Sequence, residues 1–440
     1  MSTSLTRRKF LRRAAATGLA AGLGHSLATA AEKSAASVPS AASTPQNPAA
    51  WPVFDELDEA ALRDVLRSGR WGRGTGRKVA EFEKAYAELA GAKHCVATAS
   101  GTTALLTTLG ALDLGPGDEV ILPPYTFIAT FHAVTASYAL PVFVDTDAQS
   151  FQIDAKKIAA AITDRTRVLL PVHIGGSVAD MDTVNAAARP KNLPVIEDAC
   201  QSWMAEWRGR AVGNHGLAGC FSFQATKNLN SGEGGAILTN DADFAARCLS
   251  FQNQARELKP PLSGRGANFR LTEFQGALLL AQMTRFTAQQ NRRNDNALYL
   301  TKLLREIDGI EPARMHDGCT RSAWHLYMFR YRAERFAGLA REKFLTALAN
   351  EGVRAGAGYS PLNTSAQVLS LAKSRHYLKI YGERTMSDWA ERNRCPVNDQ
   401  LCTEGAWFAQ TVLLNLRSEM ERIADAIRKI QRNAAQLAKG

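Results

Sequence analysis

The chain carries no C-x-x-C pair, and its seven cysteines follow no regular spacing. That excludes a zinc module and a disulfide scaffold, and no metal site is expected. Glycine and proline, 33 and 16 of 440 residues, are too sparse for a collagen-like or low-complexity chain. No internal repeat is visible. Beyond residue 30 there is no run of 18 apolar residues, so no integral membrane span is expected in the mature chain. What is present is a long, apolar chain, 45% hydrophobic and 22% charged, with enough material for a sizeable core. Its length corresponds to two or three domains.

Acidic residues are absent from residues 1–30, where Arg7, Arg8, Lys9, Arg12 and Arg13 precede a small-residue apolar stretch and Ala28-Thr29-Ala30. A basic head, a short apolar middle and an A-x-A pattern describe an export signal. The run Thr6-Arg7-Arg8-Lys9-Phe10-Leu11 resembles a twin-arginine signal. The competing reading is a disordered basic arm. The first reading puts the protein in the periplasm; if the signal does not work, the protein stays in the cytoplasm. Removing five positive charges takes the net charge from +11 to +6 (11 − 5), too mild to argue for a nucleic-acid partner. Residues 31–54 read as a flexible leader.

From residue 55 the pattern alternates. Residues 55–69 and 78–90 predict amphipathic helices. Short apolar runs at 94–98, 118–123, 141–145, 167–172, 193–198 and 219–223 lack strict alternation, as in strands buried on both faces of a parallel sheet. A long helical stretch is predicted at 272–312 and a strand at 325–331. The fold class is α/β: a mostly parallel central sheet with helices on both faces, followed by a smaller C-terminal α+β domain. The large domain is placed at 55–285 and the small one at 286–440.

Four constellations carry chemistry. Ser100-Gly101-Thr102-Thr103 opens a helix after a strand, which makes either a phosphate site or a plain helix cap. Asp198 ends the buried run 194–198, where ligands collect in open α/β sheets; it is either a pocket carboxylate or a cap for the next helix. Gln201 lies three residues on. Lys227 follows the apolar strand Phe221-Ser222-Phe223 and precedes a Gly-rich turn; it is either a desolvated, reactive amine or a lysine reaching out to solvent. Phe127 either stacks on a flat cofactor or fills the core.

In order, SGTTAL, PPYTFIAT, PVHIGGSVADMD, VIEDACQS, FSFQATKNLNSGEGGAI and NFRLTEFQGAL resemble the DegT/DnrJ/EryC1/StrS family of pyridoxal-phosphate aminotransferases, from about residue 55 to the C-terminus. The resemblance implies the aspartate-aminotransferase fold (fold type I), pyridoxal 5'-phosphate as cofactor and a homodimer. It implies Lys227 as the Schiff-base lysine and Asp198 as the partner of the pyridine nitrogen. Gln201 matches the residue near the ring's phenolic oxygen, and Phe127 the aromatic stacked on the ring. Gly101, Thr102 and Ser222 match phosphate contacts, and Asn268 a phosphate contact from the neighbouring subunit. His325 and Tyr359 fall in segments that line the acceptor site. Some relatives carry a histidine at the lysine position and act as sugar dehydratases, so Lys227 favours transamination. Cys200 is read as packing, not as a nucleophile. An export signal departs from a family whose members are mostly cytoplasmic.

The implied function is transfer of an amino group from an amino acid, Glu or Gln, to a keto sugar or cyclic ketone. The alternative is a non-catalytic binding or regulatory protein on the same scaffold.

Overall fold

A computed structural model describes residues 51–256 and 264–439. Local signals place its first helices. Asp55 caps Glu56–Ser68 by accepting the Leu57 N–H, and Asp58 accepts the Asp55 N–H in return. Gly69, at φ 65°, ends that helix in the left-handed conformation glycine adopts without strain. The next helix is Lys78–Ala90. Residues 51–54 are tied down: the Trp51 indole donates to the Ala225 carbonyl, and Val53 accepts from Gln282.

The strands follow in chain order: β1 (His94–Thr98), β2 (Glu119–Leu122), β3 (Leu140–Phe143), β4 (Thr166–Leu169), β5 (Ile196–Asp198), the short β6 (Glu206–Trp207) and β7 (Arg210–Ala211), β8 (Ala218–Ser222) and β9 (Gly235–Thr239). β2 pairs in parallel with β3 and β4, and β5 with β8. Parallel bridges Leu169–Val195 and Val172–Asp198 join β4 to β5. The resulting order is β3-β2-β4-β5-β8-β9-β1, in which β9 runs against both of its neighbours. The sheet is mostly parallel, as the apolar runs indicate. β9 went unread because its sequence, GAILT, is short and sits behind a Gly-rich approach.

Successive residues of these strands enter different cores, as the two-residue repeat requires. Ala97, Ile121, Val142 and Leu169 pack on one face with Phe82, Trp203 and Phe223. Val96, Val120, Leu122 and Val168 pack on the other with Leu105, Leu109 and Phe244. Both faces are apolar, which is why the runs lack a polar alternate.

Thr272 and Gln275 form a reciprocal cap that starts the helix Glu273–Arg305. The predicted helical stretch ends there; its last residues form β10 (Ile310–Pro312). β11 (Cys319–Arg321) pairs with β6. β12 (Leu326–Tyr331) lies between β10 and β13 (Gly405–Ala409) in an antiparallel sheet. That sheet shares a third core with the helices Glu273–Arg305 and Arg417–Arg432, through Leu300, Phe329, Phe408 and Ile427. Among the described residues no helix is long and apolar enough to cross a membrane.

Candidate active site

Three parallel strands present their carboxyl ends at one edge. Gly235 of β9 sits opposite both Thr98 of β1 and Ser222 of β8, and Asp198 of β5 opposite Cys220. This register brings together the Ser100 turn, Ser222 and Asp198, which are far apart in sequence. They line a cavity of about 540 Å³ that also receives Phe127, Gln201, Lys227, His325, Tyr359 and Trp407.

At one end is the helix Gly101–Ala111. Ser100 Oγ accepts the Thr103 N–H, and Thr103 Oγ1 accepts the Ser100 N–H. The cap therefore uses the Thr103 N–H and leaves those of Gly101 and Thr102 without a helical partner. Gly101 packs tightly: a Cβ there would lie 2.7 Å from Ser222 Cβ and 2.8 Å from Cys200 Sγ. Only glycine lets the backbone approach β8 so closely.

Asp198 is buried. Its Oδ2 accepts from Thr130 Oγ1 at 2.8 Å, and its Oδ1 accepts the Cys200 N–H at 3.2 Å. The strand end is held from behind by Glu197, whose carboxylate accepts from Gly213, His215 and Gly216 N–H groups and from His173 Nε2. Lys227 is half-buried and faces the cavity. Burial lowers its pKa, while Cys200 and Asp198 oppose the shift. The amine lies 3.5 Å from His325 Nε2. Burial also drives His325 well below the usual histidine range, helped by Lys227 and Arg293, so its imidazole is neutral. Gln201 is fixed at both ends: its Oε1 accepts the Gly175 N–H at 2.7 Å and its Nε2 donates to Tyr359 Oη at 3.0 Å. Burial raises the Cys200 thiol well above its ordinary range, so it is a packed thiol. All seven cysteines are free.

Phe127 is 58% exposed on the cavity wall, so it is not a core residue. Asn268 is not brought to the cavity. It is exposed and bridges to Asn253. Thr130, Asn228 and Trp407 escaped the sequence reading. Asn228 had a signal, as it directly follows Lys227, and so did Thr130, the last residue of PPYTFIAT; Trp407 had none, since only the fold carries it to the site. Among the described residues no group of three or more His, Cys, Asp or Glu side chains could hold a metal ion.

A helix N-terminus for a phosphate, a buried carboxylate for a ring nitrogen and a desolvated amine for a carbonyl are the donor set that pyridoxal phosphate needs. The class so defined is the fold type I pyridoxal-phosphate enzymes, and within it the transaminases. The chain belongs to the DegT/DnrJ/EryC1/StrS aminotransferase family, whose model matches residues 52–427. It is 34% identical to the L-glutamine:2-deoxy-scyllo-inosose aminotransferase of Streptomyces lividus, over 88% of this chain and 96% of that one. Among solved structures it resembles 3-amino-5-hydroxybenzoic acid synthase, with a TM-score of 0.77 and 30% identity over 88% of this chain and 98% of that one. It also resembles NtdA from Bacillus subtilis with bound cofactor PMP, with a TM-score of 0.71 and 27% identity over 86% and 82%.

These relatives correct one expectation. Export to the periplasm does not stand, because the proteins this chain resembles are biosynthetic aminotransferases rather than exported ones. The basic and apolar stretch at residues 1–30 that suggested export lies outside the described residues.

Proposed function

We propose that the chain holds pyridoxal 5'-phosphate in this cavity and uses it to move an amino group from glutamine or glutamate to a cyclic ketone or keto sugar. The observation that carries this reading is the convergence of Lys227, Asp198 and the N-terminus of Gly101–Ala111 on one cavity of about 540 Å³. The names of the relatives, an inosose aminotransferase among them, support a cyclic ketone as acceptor.

The cofactor, when bound, supplies the electron sink that lets an amino group leave one carbon skeleton and join another. Asp198, kept in place by Thr130 and the Cys200 N–H, offers a carboxylate to a protonated ring nitrogen. Gly101, Thr102 and Ser222 offer the phosphate N–H and hydroxyl donors. Phe127 presents its ring to the cavity, and Gln201 is oriented toward it by Gly175 and Tyr359. Lys227 would hold the cofactor through its amine and, when free, would carry a proton on Nζ; its lowered pKa favours the neutral form this needs. His325 and Tyr359 bound the side from which an acceptor enters. We assign residues 55–285 to a large cofactor domain and 286–440 to a smaller one that contributes His325, Leu326, Tyr359 and Trp407.

A homodimer belongs to this reading. Among the described residues no arginine lines the cavity, and Glu233 and Asp198 add negative charge. A phosphate dianion and a donor carboxylate therefore need further polar contacts, and to Asn268, which is exposed, we assign one offered to a second copy.

The test is a donor and acceptor screen on the loaded enzyme. Glutamine or glutamate should convert the visible absorbance of the cofactor to that of its amine form, and a cyclic ketone such as an inosose should restore it. A purified chain that binds no chromophore, or that responds to no amino donor, refutes the reading.

A further inference from the structure

Lys227 sits at the end of a buried polar chain that the reaction as described does not use. Gln290 Nε2 donates to the carbonyls of Ser322 and Ala323, at 3.2 and 3.0 Å. Its Oε1 is thereby turned to Asn228, whose Nδ2 donates to it and, at 2.8 Å, to the Ala323 carbonyl. Two acceptors on Asn228 Nδ2 fix the amide: rotated by half a turn, its oxygen would face two oxygens. Asn228 Oδ1 therefore faces His325 Nδ1 at 3.1 Å, and that nitrogen must carry the proton. His325 Nε2 is left with a lone pair, 3.5 Å from Lys227 Nζ. Gln290, Asn228 and His325 are all buried, and the Trp203 ring meets the imidazole edge to face at 5.7 Å. The links from Gln290 to His325 are therefore enclosed by protein, and the Lys227–His325 contact lies at the cavity wall.

A neutral primary amine has two hydrogens and one lone pair. With one hydrogen donated to His325 Nε2, rotation about the Cε–Nζ bond is restricted. The other hydrogen and the lone pair then face away from the imidazole, toward the cavity.

We propose that His325, locked as its Nδ1–H tautomer by Asn228 and Gln290, is a positioning residue that accepts a hydrogen bond from the Lys227 amine and aims that amine's lone pair into the cavity. The proposal rests on Lys227 being the reactive amine. It differs from a role for His325 in acceptor binding, because no acceptor atom is needed for it. The titratable and charged groups facing the pair are Asp198 and Cys200 on the Lys227 side and Arg293 on the His325 side. A second cation beside His325 disfavours the imidazolium, so proton transfer from Lys227 to His325 is not part of the proposal.

The test starts with the wild-type protein loaded with pyridoxamine phosphate, which leaves Lys227 as a free amine. In ¹⁵N spectra of the histidine-labelled full chain, the resonances lost in His325→Gln identify this ring. The expected result is a protonated Nδ1 and a bare Nε2, unchanged across neutral pH; a protonated Nε2 or an imidazolium overturns the proposal. In turnover, His325→Leu, which offers no acceptor, should lower kcat by about ten- to a hundredfold with little change in KM for the ketone. His325→Gln, whose Oε1 can accept from the amine, should recover most of that loss. Equal kcat in the two variants, or a loss confined to KM, overturns the proposal. If His325→Leu does not fold, the wild-type spectrum still decides. Reduction of the internal cofactor linkage with borohydride, followed by peptide mapping, tests Lys227 separately. Cofactor on another residue sinks the reading of the site, whereas cofactor on Lys227 beside a wrong tautomer sinks only the role of His325.

Discussion

Replacing Glu197 by glutamine should destabilise the protein severely although it changes neither side-chain volume nor any group lining the cavity. Glu197 is fully buried and accepts four hydrogen bonds. Oε2 takes the Gly213 N–H at 2.8 Å and His173 Nε2 at 3.0 Å; Oε1 takes the His215 and Gly216 N–H groups at 2.7 and 2.8 Å. His173 donates here because its Nδ1 accepts the Ala179 N–H. A glutamine keeps one oxygen and turns an NH₂ toward two of the four donors, whichever way it is rotated. Each buried donor left without an acceptor costs about 1–3 kcal/mol, so the substitution costs about 2–6 kcal/mol. That is a large part of the roughly 5–15 kcal/mol by which a folded chain is stable. The assay is denaturant unfolding: the midpoint should fall while the slope stays. The effect also has a pH signature. Burial pushes the Glu197 carboxyl up, but the hydrogen bond from His173, with the Gly213 N–H among other partners, outweighs it and holds the pKa below its ordinary value. The folded chain therefore binds this proton less tightly than the unfolded chain does. Its stabilisation is complete above the unfolded value of about 4.3 and is lost as pH falls through the lower folded value. The gap between wild type and variant should be full at neutral pH and close at acidic pH. A variant within about 0.5 kcal/mol of wild type at pH 7 would refute the argument, since that is the scatter of a surface change.

Gly101→Ala should weaken cofactor binding by about ten- to a hundredfold, because the new methyl group meets Ser222 and Cys200 and overpacking costs about 1–3 kcal/mol; an unchanged Kd in an absorbance titration would show that the helix start can shift. Asp198→Asn should slow turnover by several orders of magnitude, as an amide cannot hold a ring proton by charge; retention of most activity would reduce Asp198 to an anchor for Thr130 and the turn at Cys200. Lys227→Ala and Asn268→Ala, each inactive alone, should regain a fraction of wild-type activity when unfolded and refolded together. A verified mixed dimer without recovery would place Asn268 outside the partner's site.

Much of the fold is written locally. Strands at 94–98, 118–123 and 167–172 are legible because both faces of the sheet are covered, which demands unbroken apolar runs, and the helix at 78–90 is legible because its apolar face repeats with the helical period. What the sequence could not show is β9, whose Gly-rich approach read as a turn, or the end of the long helix at Arg305, where β12 draws residues 310–312 into a sheet.

The site divides in the same way. The sequence by itself determined the chemical parts, a lysine after a strand, an acid at a strand end and a helix opening with SGTT, because each depends on its immediate neighbours. The environment of each part was decided by tertiary structure. Whether Lys227 lined a cavity or reached solvent, and whether Phe127 was core or cavity wall, turned on segments 98 or more residues away: His325 against the amine, and Tyr359 and Trp407 around the opening. Burial and hydrogen-bond partners set protonation and orientation, and in a chain of this length they are supplied across the sheet, not along the sequence.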